Sequence, residues 1–130
     1  MAELDYVFLA DHAQVMDGKL SSIGASFTNV TAASTEGLFM LSVAGRVRTT
    51  MGAANPELGI RLRGPGGMFE VSNATELFVG PQARPYGDGK VGILFAANLA
   101  VPIVVGLYEV FVSLDGEEVR RLAFDITLAE

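Results

Sequence analysis

The stretch Gly106-Leu107-Tyr108-Glu109-Val110-Phe111-Val112-Ser113-Leu114-Asp115-Gly116 runs on into Glu117-Glu118-Val119-Arg120-Arg121-Leu122-Ala123-Phe124-Asp125-Ile126-Thr127-Leu128, and its reading decides the fold. Two runs of period-two alternation flank an Asp-Gly pair. In the first, Tyr108, Val110, Val112 and Leu114 share a face. In the second, Leu122, Phe124, Ile126 and Leu128 alternate with Arg121, Ala123, Asp125 and Thr127. Such alternation belongs to a strand with one buried and one wet face. Asp-Gly tolerates the left-handed backbone that a two-residue hairpin turn needs. The spacing therefore predicts a closing hairpin, 106–114 with 118–128.

The same period recurs upstream. Leu58, Ile60 and Leu62 alternate with Gly59, Arg61 and Arg63. Phe39, Leu41, Val43, Gly45 and Val47 alternate with small or polar neighbours that include Ser42, Ala44, Arg46 and Arg48. Turn signals at Asp17-Gly18, Met51–Pro56, Gly64–Gly67, Pro81–Gly89 and Asp115-Gly116 separate the runs. No long window carries a helical stripe without a glycine interrupting it. Strands are expected at 4–13, 19–29, 38–49, 57–64, 68–73, 76–79, 90–100, 106–114 and 118–128, with 76–79 the weakest. Short strands at this spacing describe an all-β fold: one domain over residues 1–130, an antiparallel β-sandwich of eight or nine strands. Tyr108 and Val110 narrow the architecture. In immunoglobulin-like sandwiches a tyrosine near the start of the penultimate strand bonds back to upstream backbone, and a core residue follows two positions later. The plainer alternative makes Tyr108 an ordinary inward strand residue.

Composition removes several classes of function. Half of the 130 residues are apolar, too many for a disordered chain. With no cysteine there is neither a disulfide scaffold nor a thiolate metal site. Nine basic against fifteen acidic residues give a net charge of −6, which argues against a general grip on nucleic acid. Acids precede the first apolar run (Glu3 and Asp5 before Tyr6–Ala10), unlike a secretory signal, so a cytoplasmic location is expected. Val91 to Tyr108 is free of charge, but Gly92, Asn98, Pro102 and Gly106 interrupt it. Two short strands around a turn suit it better than a membrane span.

Chemistry-bearing residues are sparse. His12 is the one histidine, and its neighbour Asp11 would point to the opposite face of a strand, so the two cannot form an orienting pair. The loop acids Asp17, Asp88, Asp115, Glu117 and Glu118 are spread over separate turns rather than gathered for a cation. Gly64–Gly67 lacks the lysine of a phosphate loop and reads as a turn. No catalytic residue, metal site or cofactor is expected. Arg46, Arg48, Arg61 and Arg63 are the best constellation. If their two strands form a hairpin, all four share one outward face. That face would be answered by acids of its own sheet, such as Glu70 and Glu76, or by an anion or acidic partner surface.

The opening Leu9-Ala10-Asp11-His12-Ala13, then Gly18-Lys19-Leu20, then Gly24, resembles that of a family of small bacterial proteins of unknown function. The Gly-x-Tyr strand and closing hairpin are also similar to that family's C-terminal part, while the middle of the chain matches it poorly. The resemblance implies a compact β-sandwich and carries no activity.

The first strand is apolar on both faces, Tyr6, Phe8 and Ala10 on one and Val7 and Leu9 on the other. Such a strand is either central or part of an interface. With Leu94, Phe111 and Val119 also set against the main inward faces, the expectation is a non-enzymatic interaction domain. It would be a homo-oligomer using Val7, Leu9, Phe111 and Val119, and it could take a protein partner, with no nucleic acid or membrane involved. The alternative is a ligand-binding or hydrolytic domain with a pocket between its sheets or an anion site at the arginine face.

Overall fold

In the computed structural model, which describes residues 2–81 and 83–130, the alternating runs are strands. In chain order they are β1 (Glu3–Ala10), β2 (His12–Met16), β3 (Lys19–Ile23), β4 (Asn29–Ala32), β5 (Leu38–Thr50), β6 (Glu57–Arg63), β7 (Glu70–Glu76), β8 (Lys90–Pro102), β9 (Gly106–Leu114) and β10 (Glu117–Leu128). Among the described residues they form three sheets, ordered β1-β5-β8, β4-β10-β9-β6-β7, and the ribbon β2-β3. Pairing is antiparallel except between β4 and β10, which run parallel with Asn29 opposite Asp125. The chain is all-β, and among the described residues no helix is long and apolar enough to cross a membrane. The charge-free span Val91–Tyr108 is most of β8, a short connection and the start of β9.

The closing hairpin forms where its turn residues place it. Asp115 and Gly116 both have positive φ, 50° and 84°, the backbone that a type I′ turn requires. Of the residues the alternation turns inward, Leu128 at the end of β10 is exposed and Leu122 half-buried, while Tyr108, Val110, Val112, Leu114, Phe124 and Ile126 are buried. They join Leu58, Ile60 and Leu62 of β6 and, from the three-stranded sheet, Val43, Val47, Phe95 and Val101 in one core. The Tyr108 ring stacks on Phe124 at 4.9 Å, and Phe27 meets Phe124 edge-on at 5.4 Å. The Tyr108 hydroxyl reaches back along the chain. It accepts from the Val104 N–H at 2.8 Å and donates to the Pro102 carbonyl at 2.6 Å. Burial pushes this phenol above its usual pKa, with the Val104 hydrogen bond opposing.

Four expectations need correction. The run 4–13 is two strands, because the chain leaves the three-stranded sheet at Asp11. The Asp11 N–H is held by the carbonyls of Ile23 and Gly24, and β2 then packs over β5 and β8. The run 19–29 stops at Ile23. Its continuation crosses to the other sheet, pinned by Ser26 N–H to Leu9 O and Asp125 N–H to Thr28 O, and pairs there as β4. The expected strand 76–79 is absent: Glu76 ends β7 and 77–79 lie past it, with Leu77 buried and its N–H donated to the Pro56 carbonyl. Finally, β1, expected to be either central or part of an interface, is an edge strand. Its outer residue Phe8 is covered by the chain's own β2–β3 ribbon, where Ala10, Ala13 and Ala44 make a second small core flanked by Phe8, Leu20 and Ala96.

Candidate functional site

The arginines do not form one cluster. Arg46 and Arg48 stand on β5 and Arg61 and Arg63 on β6, and those strands lie in different sheets. The 51–56 connection that reads as a hairpin loop instead carries the chain from one sheet to the other, so the expected four-arginine face is corrected to two separate pairs.

On the three-stranded sheet the answering acids come from β1 of the same chain. Glu3 pairs with Arg48 and Tyr6 with Arg46 in the strand register, and a bulge at Asp5 brings a second carboxylate to the same side. Arg46 donates from Nε to Asp5 at 2.7 Å, and Arg48 binds Glu3 at 2.9 Å and Asp5 at 3.5 Å. The Arg48 guanidinium hydrogen-bonds Glu3 and holds its carboxyl below the usual range; the same bond raises Arg48, and the bond to Asp5 raises Arg46. Arg46 also lies 5.3 Å from the centre of the Tyr6 ring and 5.9 Å from that of Tyr86. The acidic first strand is therefore an internal partner for these two arginines.

The five-stranded sheet offers a different surface. Register places Ser72, Arg61, Phe111 and Arg121 side by side on β7, β6, β9 and β10. Phe111 alternates with buried Val110 and Val112, so its ring faces outward, as its position in the strand pattern requires. The Arg61 guanidinium lies over that ring, 4.3 Å from its centre, and is held there by Glu70 at 2.6 Å. On the other side Arg121 is fixed by Glu109 through Nε and a terminal nitrogen, both at 2.7 Å. Next along the strands, Gly59 faces Ser113, whose hydroxyl occupies the space a side chain at Gly59 would need. These small residues leave a groove of about 430 Å³ walled by Arg61, Phe111, Ser72 and Glu118. Arg63 sits one pair along from Arg61, between Glu70 and Glu109 in register, and its guanidinium lies against Gly67.

The expected interface residues separate in the same way. Val7 and Leu9, 8% and 3% exposed, belong to the chain's own core, so their assignment to an oligomer contact is corrected. Their face of β1 points inward because Tyr6 and Phe8 take the outer one. Val119 is exposed and Phe111 half-buried. His12 is exposed at the start of β2, opposite Ile23. The Arg61–Phe111–Arg121 row escaped the sequence reading because it spans three strands whose register no local pattern states. An aromatic at an outward position was its one visible signal.

The model of a family of unknown function, DUF6941, matches residues 5–127, and the chain belongs to that family. No curated protein matches the chain.

Proposed function

We propose that this family member is a non-enzymatic protein-interaction domain that self-associates and offers the outer face of its five-stranded sheet to a protein partner. One observation carries the reading: an outward aromatic, Phe111, flanked across the sheet by two arginines that acids already hold in place. Aromatic and arginine side chains supply most interface hot spots, and fixing them beforehand lowers the entropy cost of contact. The immunoglobulin-like frame is part of the proposal. It is supported by the Tyr108 hydroxyl bonded to upstream backbone and by an order that places β9 between β10 and β6.

The test uses the whole chain as bait against an extract of its own cells, read by quantitative mass spectrometry. Phe111→Glu should lose a partner that wild type retains, while Met68→Glu, an exposed apolar position in a turn, should keep it. Identical partner sets for all three baits would overturn the assignment of this face. A second reading, a small ligand in the Gly59–Ser113 groove, draws on the same arginines. It predicts that an anionic compound raises the melting temperature of wild type and not of Arg61→Ala.

A further inference from the structure

A sheet edge offers unpaired N–H and C=O groups to any extended chain, and proteins guard such edges with charge, bulges or short length. Of the four outer strands in the two larger sheets, three carry a guard among the described residues. β1 has a register shift between Leu4 and Tyr6 and carries Glu3 and Asp5. β4 is four residues long. β7 is polar and begins and ends on glutamates, Glu70 and Glu76.

β8 is guarded only at its two ends, by Lys90 and Pro102. It is thirteen residues long and pairs with β5 from Lys90–Thr50 to Pro102–Leu38 without a shift. Among the described residues its outer edge makes one backbone hydrogen bond, at its start, where the Tyr86 N–H donates to the Lys90 carbonyl. From Val91 to Pro102 it bears no charge. Its inward residues Val91, Ile93, Phe95, Leu99 and Val101 are already buried in the core. On the outer face Gly92 and Ala100 are exposed, and Ala96 lies under the β2–β3 ribbon. Beside the edge, Leu94, Val15, Pro81 and Phe78 line a cleft of about 440 Å³, and Phe78 is 65% exposed.

We infer that the free edge of β8 pairs antiparallel with β8 of a second copy of this chain, joining two three-stranded sheets into one of six strands. The inference rests on the self-association proposed above and gives it a surface. The occupant follows from charge. A strand with acids or bases would meet nothing opposite to pair with. The same neutral strand related by a twofold axis places no like charges together and matches itself in length, as an isologous contact requires. With the axis near Ala97, Leu94 lies opposite Ala100 on the outer face, twice by symmetry. The edge is also independent of Phe111, which stands on the other sheet.

Two charge variants test this in the full chain. One carries Leu94→Lys with Ala100→Lys, the other Leu94→Glu with Ala100→Glu. Both positions face outward, and a lysine stem can lie where the Leu94 side chain does. By sedimentation, wild type is expected to be a dimer at micromolar concentration. Each variant alone should weaken the dimer by roughly tenfold or more through like charges set opposite each other. An equimolar mixture of the two should restore it, a result that damage to the fold cannot produce. A monomeric wild type overturns both self-association and this interface. If that monomer binds a labelled peptide of sequence 91–102, the edge belongs to an extended peptide rather than a second copy. Variants that keep their melting temperature and stay dimeric leave self-association standing and overturn the edge, and a dimer then broken by Phe111→Glu places the contact on the other sheet. Variants that separate but do not recombine overturn the antiparallel pairing.

Discussion

Tyr108 does three jobs that a single substitution can separate. Its ring packs on Phe124 and Phe69, its burial is complete, and its hydroxyl ties the Pro102–Val104 connection to β9. Tyr108→Phe keeps the ring and removes both hydrogen bonds, leaving a backbone donor and acceptor short of a partner. The expected cost is about 1–3 kcal/mol, read from chemical denaturation. Phe124→Ala takes away the ring at the centre of the aromatic cluster and should cost about 3–5 kcal/mol. The phenol adds a pH signature. Its folded pKa is raised by burial above the ordinary value of 10.0. Its contribution is therefore complete below that value and is lost as pH rises through the raised one. Stability should fall in alkali in wild type and fall less in Tyr108→Phe. Equal alkaline losses in the two proteins would show that the phenolate is not the group responsible.

At the scale of elements, what could be read from the sequence was whatever a local pattern determines. Alternation fixed the inward faces of β6, β9 and β10, and Asp115-Gly116 fixed their last turn, since both depend on neighbours in the chain. The sheet to which a strand belongs depends on distant partners. That is why Arg46 and Arg61 seemed to share a face and why Val7 seemed available to another chain. The family-like opening is the instructive intermediate case. Its residues are the ones that fold the β2–β3 ribbon back: Ala10 and Ala13 pack on Ala44, the Ala13 N–H donates to the buried Ser42 hydroxyl at 2.9 Å, and Gly24 turns beside Asp11. Gly24 has φ +64°, and a Cβ there would run into the Asp11 carboxylate. Gly24→Ala should thus cost about 1–3 kcal/mol of local stability. Hydrogen exchange should quicken at the amides of β2 and β3 before those of β9. Uniform exchange across the chain would mean that the ribbon is not a separable unit.

For the molecule as a whole, the two ends of the sequence contribute unequally, and topology says how. β10 is the last strand made, yet it lies between β4 and β9 and brings Phe124 and Ile126 into the main core. Its pairing with β4 joins Asn29 to Asp125, about three-quarters of the chain's length apart. Removing it opens the five-stranded sheet between β4 and β9 and strips the core of Phe124 and Ile126, so no stable subset of strands should survive without it. A chain ending at Gly116 is expected to show no cooperative melting transition. The β2–β3 ribbon stands outside that closure, because its small core is separate from the main one. Its two ends already meet, with the Asp11 N–H hydrogen-bonded to the Gly24 carbonyl at 3.3 Å. Replacing residues 12–23 by a two-residue turn therefore leaves both larger sheets connected as before. That chain should still melt cooperatively, at a lower temperature and with poorer solubility, because Phe8 and Ala44 lose their cover. If the shortened chain fails to fold while the chain ending at Gly116 folds, the ribbon rather than the closing hairpin is what organises the core.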